Sequence, residues 1–207
     1  MGLLQVASSL VAPPLCAACG HGCRSEAVIC TRCSRALAAA TPIISGGPQG
    51  IDRVWSSAPH DGVARSLVGA LKFRRLLPVA GLMADRMHWL APGHLLGGAV
   101  VAVPTPSPRL RRRGFDPAGE LAAALAARLD AELAPCLARR GQGHQVGRRR
   151  AERIGRPPRI EAIAEAPRGV LLVDDVLTTG ATLTSCAMAL RGAGAKRVVA
   201  LTFTRRL

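Results

Sequence analysis

The chain has 207 residues, 49% of them hydrophobic, which suits one medium domain plus a small appendage. Tyr is absent and only three Phe and two Trp occur, so its core must be mainly aliphatic. A net charge of +15 points to a polyanion partner such as nucleic acid, nucleotide or phosphate. All basic residues except Lys72 and Lys196 are arginines, a bias that a GC-rich genome also produces; their clustering at 109–113 and 139–159 favours a functional surface. No uncharged apolar run reaches the roughly 18 residues of a membrane-spanning helix, so no membrane partner is expected.

Residues 1–15 are apolar, but no Lys or Arg precedes them, as a secretory signal requires. Val6 stands where myristoylation needs Ser or Thr. A cytoplasmic protein is expected. Five of the seven cysteines lie between positions 16 and 33, and in a reducing compartment such a cluster indicates metal ligation rather than disulfides. Cys16-x2-Cys19 and Cys30-x2-Cys33 form two knuckles ten residues apart, which can converge on tetrahedral thiolate ligation of a structural Zn²⁺. His21 and Cys23 lie between the pairs and offer a substitute ligand. So small a module has little core, and zinc would carry its folding. Cys136 and Cys186 are isolated and expected to be packing or surface residues.

The Pro/Gly-rich stretch 41–50 reads as a linker, which divides the chain into a cysteine-rich zinc-binding module over 1–40 and a larger domain over 51–207. Beyond it a strand is expected near 53–58. A helix over 61–73 follows from apolar residues at 63, 64, 67, 68 and 71, and another runs from Pro78 to about 90. The apolar run 99–103 reads as a parallel strand buried on both faces. Asp116 is placed to N-cap a helix that begins at Pro117 and runs to 129. Residues 139–160, polar, basic and Gly-rich, read as a flexible loop or lid. Strand 169–173, helix 181–190 ended by Gly192 and Gly194, and strand 197–204 complete an alternating α/β order, hence a mainly parallel sheet flanked by helices.

The chemistry concentrates at 173–182 (VDDVLTTGAT). A buried strand delivers Asp174 and Asp175 to the sheet edge where α/β proteins bind ligands. A turn rich in hydroxyls and Gly then enters a helix whose free N–H groups and dipole favour an anion. Thr178, Thr179 and Thr182 supply hydroxyls, and Gly180 lets the backbone approach a phosphate closely. Two carboxylates beside a phosphate cradle make sense when the ligand also carries vicinal hydroxyls or Mg²⁺.

This run resembles the phosphoribosyl diphosphate motif of the type I phosphoribosyltransferases. The resemblance implies that Asp174 and Asp175 face the ribose hydroxyls, that Thr178, Thr179, Gly180, Ala181 and Thr182 wrap the 5′-phosphate, and that Mg²⁺ bridges ribose and pyrophosphate. Transferases for 6-oxopurines carry an acidic residue at the place of Thr178, which argues against that substrate class. Val103-Pro104-Thr105-Pro106, then Arg109 and Arg111-Arg112-Arg113-Gly114-Phe115-Asp116, resembles the ComF family, including its GntX-like members, which joins a four-cysteine module to a phosphoribosyltransferase-like domain. Leu71-Lys72-Phe73, and Gln145 with Arg153, fit as well. Asp116 and Pro117 stand where the family has Asn and Gln, and Gly155 where it often has Asn. The expected architecture is therefore a type I phosphoribosyltransferase-like α/β domain preceded by a small zinc-ribbon-like module.

Thr105 and Arg113 are expected to reach a pyrophosphate, Arg113 because Gly114 and Phe115 beside it suggest a defined turn, and because guanidinium binds phosphate through paired hydrogen bonds. The expected activity is transfer of phosphoribosyl from phosphoribosyl diphosphate to an acceptor that the sequence leaves open, and no residue stands out as general base. The alternative is a non-catalytic accessory protein of DNA uptake, acting on single-stranded DNA or beside a DNA-uptake helicase. Scarce aromatic residues count against autonomous single-strand binding, which usually stacks bases on aromatic rings.

Overall fold

The computed structural model describes residues 14–140 and 158–206. Its centre is a five-stranded sheet in the order β1-β2-β7-β6-β3, formed by β1 (Ile43–Gly46), β2 (Arg53–Pro59), β3 (Ala99–Ala102), β6 (Gly169–Leu177) and β7 (Arg197–Arg205). Only β1 is antiparallel to its neighbour; β2, β7, β6 and β3 run parallel. The helices are α1 (Thr31–Ala38), α2 (Gly62–Arg74), α3 (Pro78–Leu90), α4 (Ser107–Arg113), α5 (Pro117–Leu129) and α6 (Ala181–Gly192). None is long and apolar enough to cross a membrane. The α/β reading, with a mostly parallel sheet between helices, holds.

Strand periodicity sorts the core into two layers. Leu171 and Val173 of β6, Val199, Leu201 and Phe203 of β7, and Trp55 of β2 pack on one face, against Leu67 and Leu71 of α2, Met83 of α3 and Leu121 of α5. Val170, Leu172, Val198, Ala200 and Val54 face the other way, against Leu183, Cys186 and Leu190 of α6. Cys16, Ala17, Cys33 and Leu37 belong to the first layer, so the cysteine segment rests on the main sheet's apolar packing. Arg74 donates to Ala17 O, and Arg86 to Ala40 O (2.6 Å) and Ser57 O (3.0 Å).

Helix ends follow local chemistry. Asp116 caps α5 by accepting from Ala118 N at 3.2 Å, with Pro117 as its first residue. The stretch expected as linker is not structureless. Ile43 and Ile44 make β1, because adjacent β-branched residues suit an edge strand and the Gly residues begin only at 46. The expected loop 139–160 also departs from expectation at its ends: β4 (Leu137–Arg139) and β5 (Ile160–Ala162) pair antiparallel, and Arg140 N donates to Arg159 O. Its middle, with Gln145, Arg153 and Gly155, lies outside the described residues.

Candidate functional site

At the C-terminal edge of the parallel strands opens a cleft of about 550 Å³. Asp174, Asp175, Thr178, Thr182, Thr105 and Arg113 all line it. Thr179 and Ala181 are exposed and Gly180 is buried, and none of the three reaches the cleft wall.

The acidic pair lies inside its strand rather than at its end. β6 runs on to Leu177 because β7 continues the ladder, with Asp174 opposite Thr202, Val176 opposite Thr204 and Leu177 opposite Arg205. Successive strand residues project to opposite faces, so the two carboxylates have different neighbours. Asp175 is buried, and its Oδ1 lies 2.7 Å from Nζ of Lys72 on α2. Asp174 lies towards Cys186 on α6 and Arg139 on β4, and its Oδ1 accepts from Asp175 N at 2.8 Å. Burial, and after it the charge of Asp175, pushes the Asp174 carboxyl well above the usual carboxylate range. Only Asp175 has a lysine partner, so the adjacent Asp174 carboxyl, whose Oδ1 accepts only a backbone N–H among the described residues, is the one that a cation or a diol would stabilise in its ionised form.

After β6 the chain turns at Gly180, whose φ of +78° favours glycine, and enters α6. A Cβ there would only touch Leu177 and Pro48, each at 3.7 Å, so backbone conformation rather than space requires glycine. Opposite, the turn after β3 carries Thr105, whose hydroxyl donates to Asp116 Oδ1 at 2.6 Å and is thereby pinned to the start of α5. Arg113 ends α4 at Gly114, which has φ +72°. Its guanidinium lies 5.2 Å from the Phe73 ring centroid, and its buried Nε has no hydrogen-bond partner among the described residues. Arg109 also lines the cleft, whereas Arg111 and Arg112 are exposed and do not.

Sequence reasoning did not assign His60, Arg65, Lys72, Arg139 and Arg206, which complete this wall. Lys72 carried a signal, being one of only two lysines in the chain and part of a motif already noted. The others sit at the ends of separate elements, and only folding brings them to one edge.

The second cluster is the cysteine knuckle. The Sγ atoms of Cys16, Cys19, Cys30 and Cys33 all lie within 4.8 Å of one another. Thiolates about 2.3 Å from a tetrahedral zinc stand about 3.8 Å apart, and Cys19 Sγ to Cys30 Sγ is 3.7 Å. The four residues therefore fit a metal ion. His21 and Cys23 fall outside the set, and Cys23 donates instead to Ala27 O at 3.3 Å. Burial raises the Cys16 thiol, but N–H groups of Cys19, Cys30 and Ala18 outweigh it and bring it down to about 6. The thiolate form that binds metal is thus favoured at Cys16, whereas burial pushes the Cys33 thiol up, the direction a bound cation would reverse.

Residues 110–207 match the family model described as phosphoribosyl transferase domain. The match takes in α5, β6, the turn at 178–180, α6 and β7. Among solved structures, the chain is similar to orotate phosphoribosyltransferase from Aeropyrum pernix, at 26% identity and a TM-score of 0.39. The similarity covers 63% of this chain and 63% of that one. No curated protein matches.

Proposed function

We propose that the cleft binds phosphoribosyl diphosphate together with Mg²⁺ and transfers its phosphoribosyl group to an acceptor, in a protein of the ComF type. The observation that carries this reading is the convergence of Asp174, Asp175, Thr178, Thr182 and Arg113, all inside the region that matches the phosphoribosyl transferase domain, with Thr105 on one cleft. Asp174 and Asp175 hold the ribose diol. Thr178 and Thr182 hold the 5′-phosphate where the chain enters α6. Arg113, whose Nε has no partner among the described residues, meets the pyrophosphate. Mg²⁺ when bound would neutralise charge on the departing pyrophosphate, and the two adjacent carboxyls, Asp175 already paired with Lys72 and Asp174 pushed up by burial and by Asp175, are oxygen donors that a bound cation would favour in their ionised form. The chain's own contribution is positioning and electrostatic stabilisation of the leaving group.

The four-cysteine set is the site for a structural Zn²⁺. A cytoplasmic setting suits these clustered thiols. A role beside single-stranded DNA or a DNA-uptake helicase rests on the family resemblance and the net charge alone.

Calorimetric titration of the full chain with phosphoribosyl diphosphate, with and without Mg²⁺, tests the proposal. Saturable binding strengthened by Mg²⁺ is expected. Absence of binding under both conditions sinks it.

A further inference from the structure

Side-chain hydrogen bonds between β2 and β7, and from Thr204 to β6, run along the strands behind the cleft, and the last of them reaches His60, the residue after β2. Ser56 Oγ and Thr202 Oγ1 meet at 2.7 Å, and Ser57 Oγ donates to Phe203 O at 2.7 Å, so polar residues lock β2 to β7 in the buried interior. One step further along the same strand pair, Thr204 Oγ1 donates to Asp175 O at 3.3 Å and meets His60 Nδ1 at 2.8 Å. His60 N donates to Arg205 O at 2.7 Å, which fixes the backbone beneath the ring. A hydroxyl has one proton. With that proton directed to the Asp175 carbonyl, which can only accept, Thr204 accepts from His60, and the imidazole carries its proton on Nδ1. Nε2 then keeps its lone pair. Among the described residues the ring's hydrogen bond is through Nδ1, and His60 lines the cleft beside Asp175 and Lys72.

Resting on the phosphoribosyl transfer reading, we infer that His60 Nε2 is the general base for the incoming acceptor, and that Thr204 is the positioning residue that sets its tautomer. The acceptor class follows: a nucleophile that arrives with a proton on its attacking nitrogen or oxygen. In the step, the acceptor lone pair forms the bond to ribose C1, and the C1–O bond to pyrophosphate breaks with its electron pair leaving on pyrophosphate. The acceptor's proton passes to Nε2. The charged groups facing His60 are Arg65 and Lys72 on α2, Asp175 on β6 and Arg206 after β7. Burial, then Arg206, Lys72 and Arg65, lower the imidazole pKa against the opposing pull of Asp175, so the ring is neutral and able to accept at neutral pH.

The test uses the full chain with phosphoribosyl diphosphate and Mg²⁺, water serving as the proton-bearing acceptor and pyrophosphate release as the readout. His60→Gln is expected to lower kcat by about 100- to 10,000-fold, while phosphoribosyl diphosphate affinity by calorimetry stays within about threefold of wild type. The pH profile of kcat/KM in wild type should show an acidic limb that H60Q lacks. An activity-independent readout is the ¹⁵N spectrum of the ring nitrogens in the free protein, with His60 assigned by its absence in H60Q. A protonated Nδ1 and bare Nε2 are expected, and Thr204→Val should shift the ring towards the other tautomer. A wild-type His60 protonated on Nε2, H60Q turnover equal to wild type, or a wild type that binds phosphoribosyl diphosphate and releases no pyrophosphate overturns the inference. Failure of wild type to bind phosphoribosyl diphosphate overturns the transfer reading itself, and this inference with it.

Discussion

Replacing Asp174 and Asp175 by Asn one at a time separates ligand binding from structural support. The two substitutions should move stability in opposite directions and affinity in the same one. The Asp175 side chain is 6% exposed and paired at 2.7 Å with Lys72, which is 22% exposed. Exposed pairs contribute about 0–1 kcal/mol and breaking a fully buried one costs about 3–5 kcal/mol. Lys72 keeps some access to water, so Asp175→Asn should cost about 2 kcal/mol, a melting midpoint lower by roughly 4–8 °C. Asp174 is the opposite case. Its carboxyl is pushed up by burial and by Asp175, so it holds its proton more tightly folded than unfolded. Its contribution to stability is full at low pH and lost as pH rises through the folded value. Asp174→Asn removes that loss: the midpoint should rise at neutral pH, and its gap over wild type should widen as pH increases. For binding, each carboxylate that accepts from a ribose hydroxyl contributes about 1.5–3 kcal/mol, so each variant should bind phosphoribosyl diphosphate roughly 10- to 150-fold more weakly. Thermal melts across pH and calorimetry read both effects. An Asp174→Asn protein that is more stable and binds with wild-type affinity would refute the diol assignment.

Elemental analysis of protein purified without added metal should give about one zinc per chain, and Cys30→Ser with Cys33→Ser should abolish it; zinc retained by that variant would exclude the four-cysteine set. Gly180→Ala should cost about 1–2 kcal/mol, because φ of +78° disfavours any Cβ while no neighbour lies closer than 3.7 Å. A denaturant midpoint equal to wild type would contradict that account of the turn.

Much of the fold was legible because its signals are local. The helix Pro78–Leu90 begins at a proline, α5 begins where Asp116 and Pro117 say it should, and β3 and the first halves of β6 and β7 are continuous apolar runs. The four cysteines announced their set through spacing, although only the fold excluded His21 and Cys23. β1 was read as linker because a four-residue edge strand carries little pattern of its own. β4 and β5 were missed for a related reason: each has three residues and exists only through its partner across a long insertion. β6 was read four residues short, since a carboxylate pair looks like a strand end until β7 is seen continuing beside it.

The sequence alone determined the residue types of the 173–182 run, the spacing of the four cysteines and the alternation of strands and helices, because these depend on neighbours a few positions apart. The tertiary structure alone decided which separate elements meet. It set Lys72 of α2 against Asp175, Arg113 of α4 over Phe73, and His60 after β2 against Thr204 of β7. These partners are separated by up to 144 positions, and no local preference encodes such a pairing. Parallel strand order does: it brings the C-terminal ends of β2, β7, β6 and β3 to one edge of the sheet, where residues with nothing in common along the chain share one cleft.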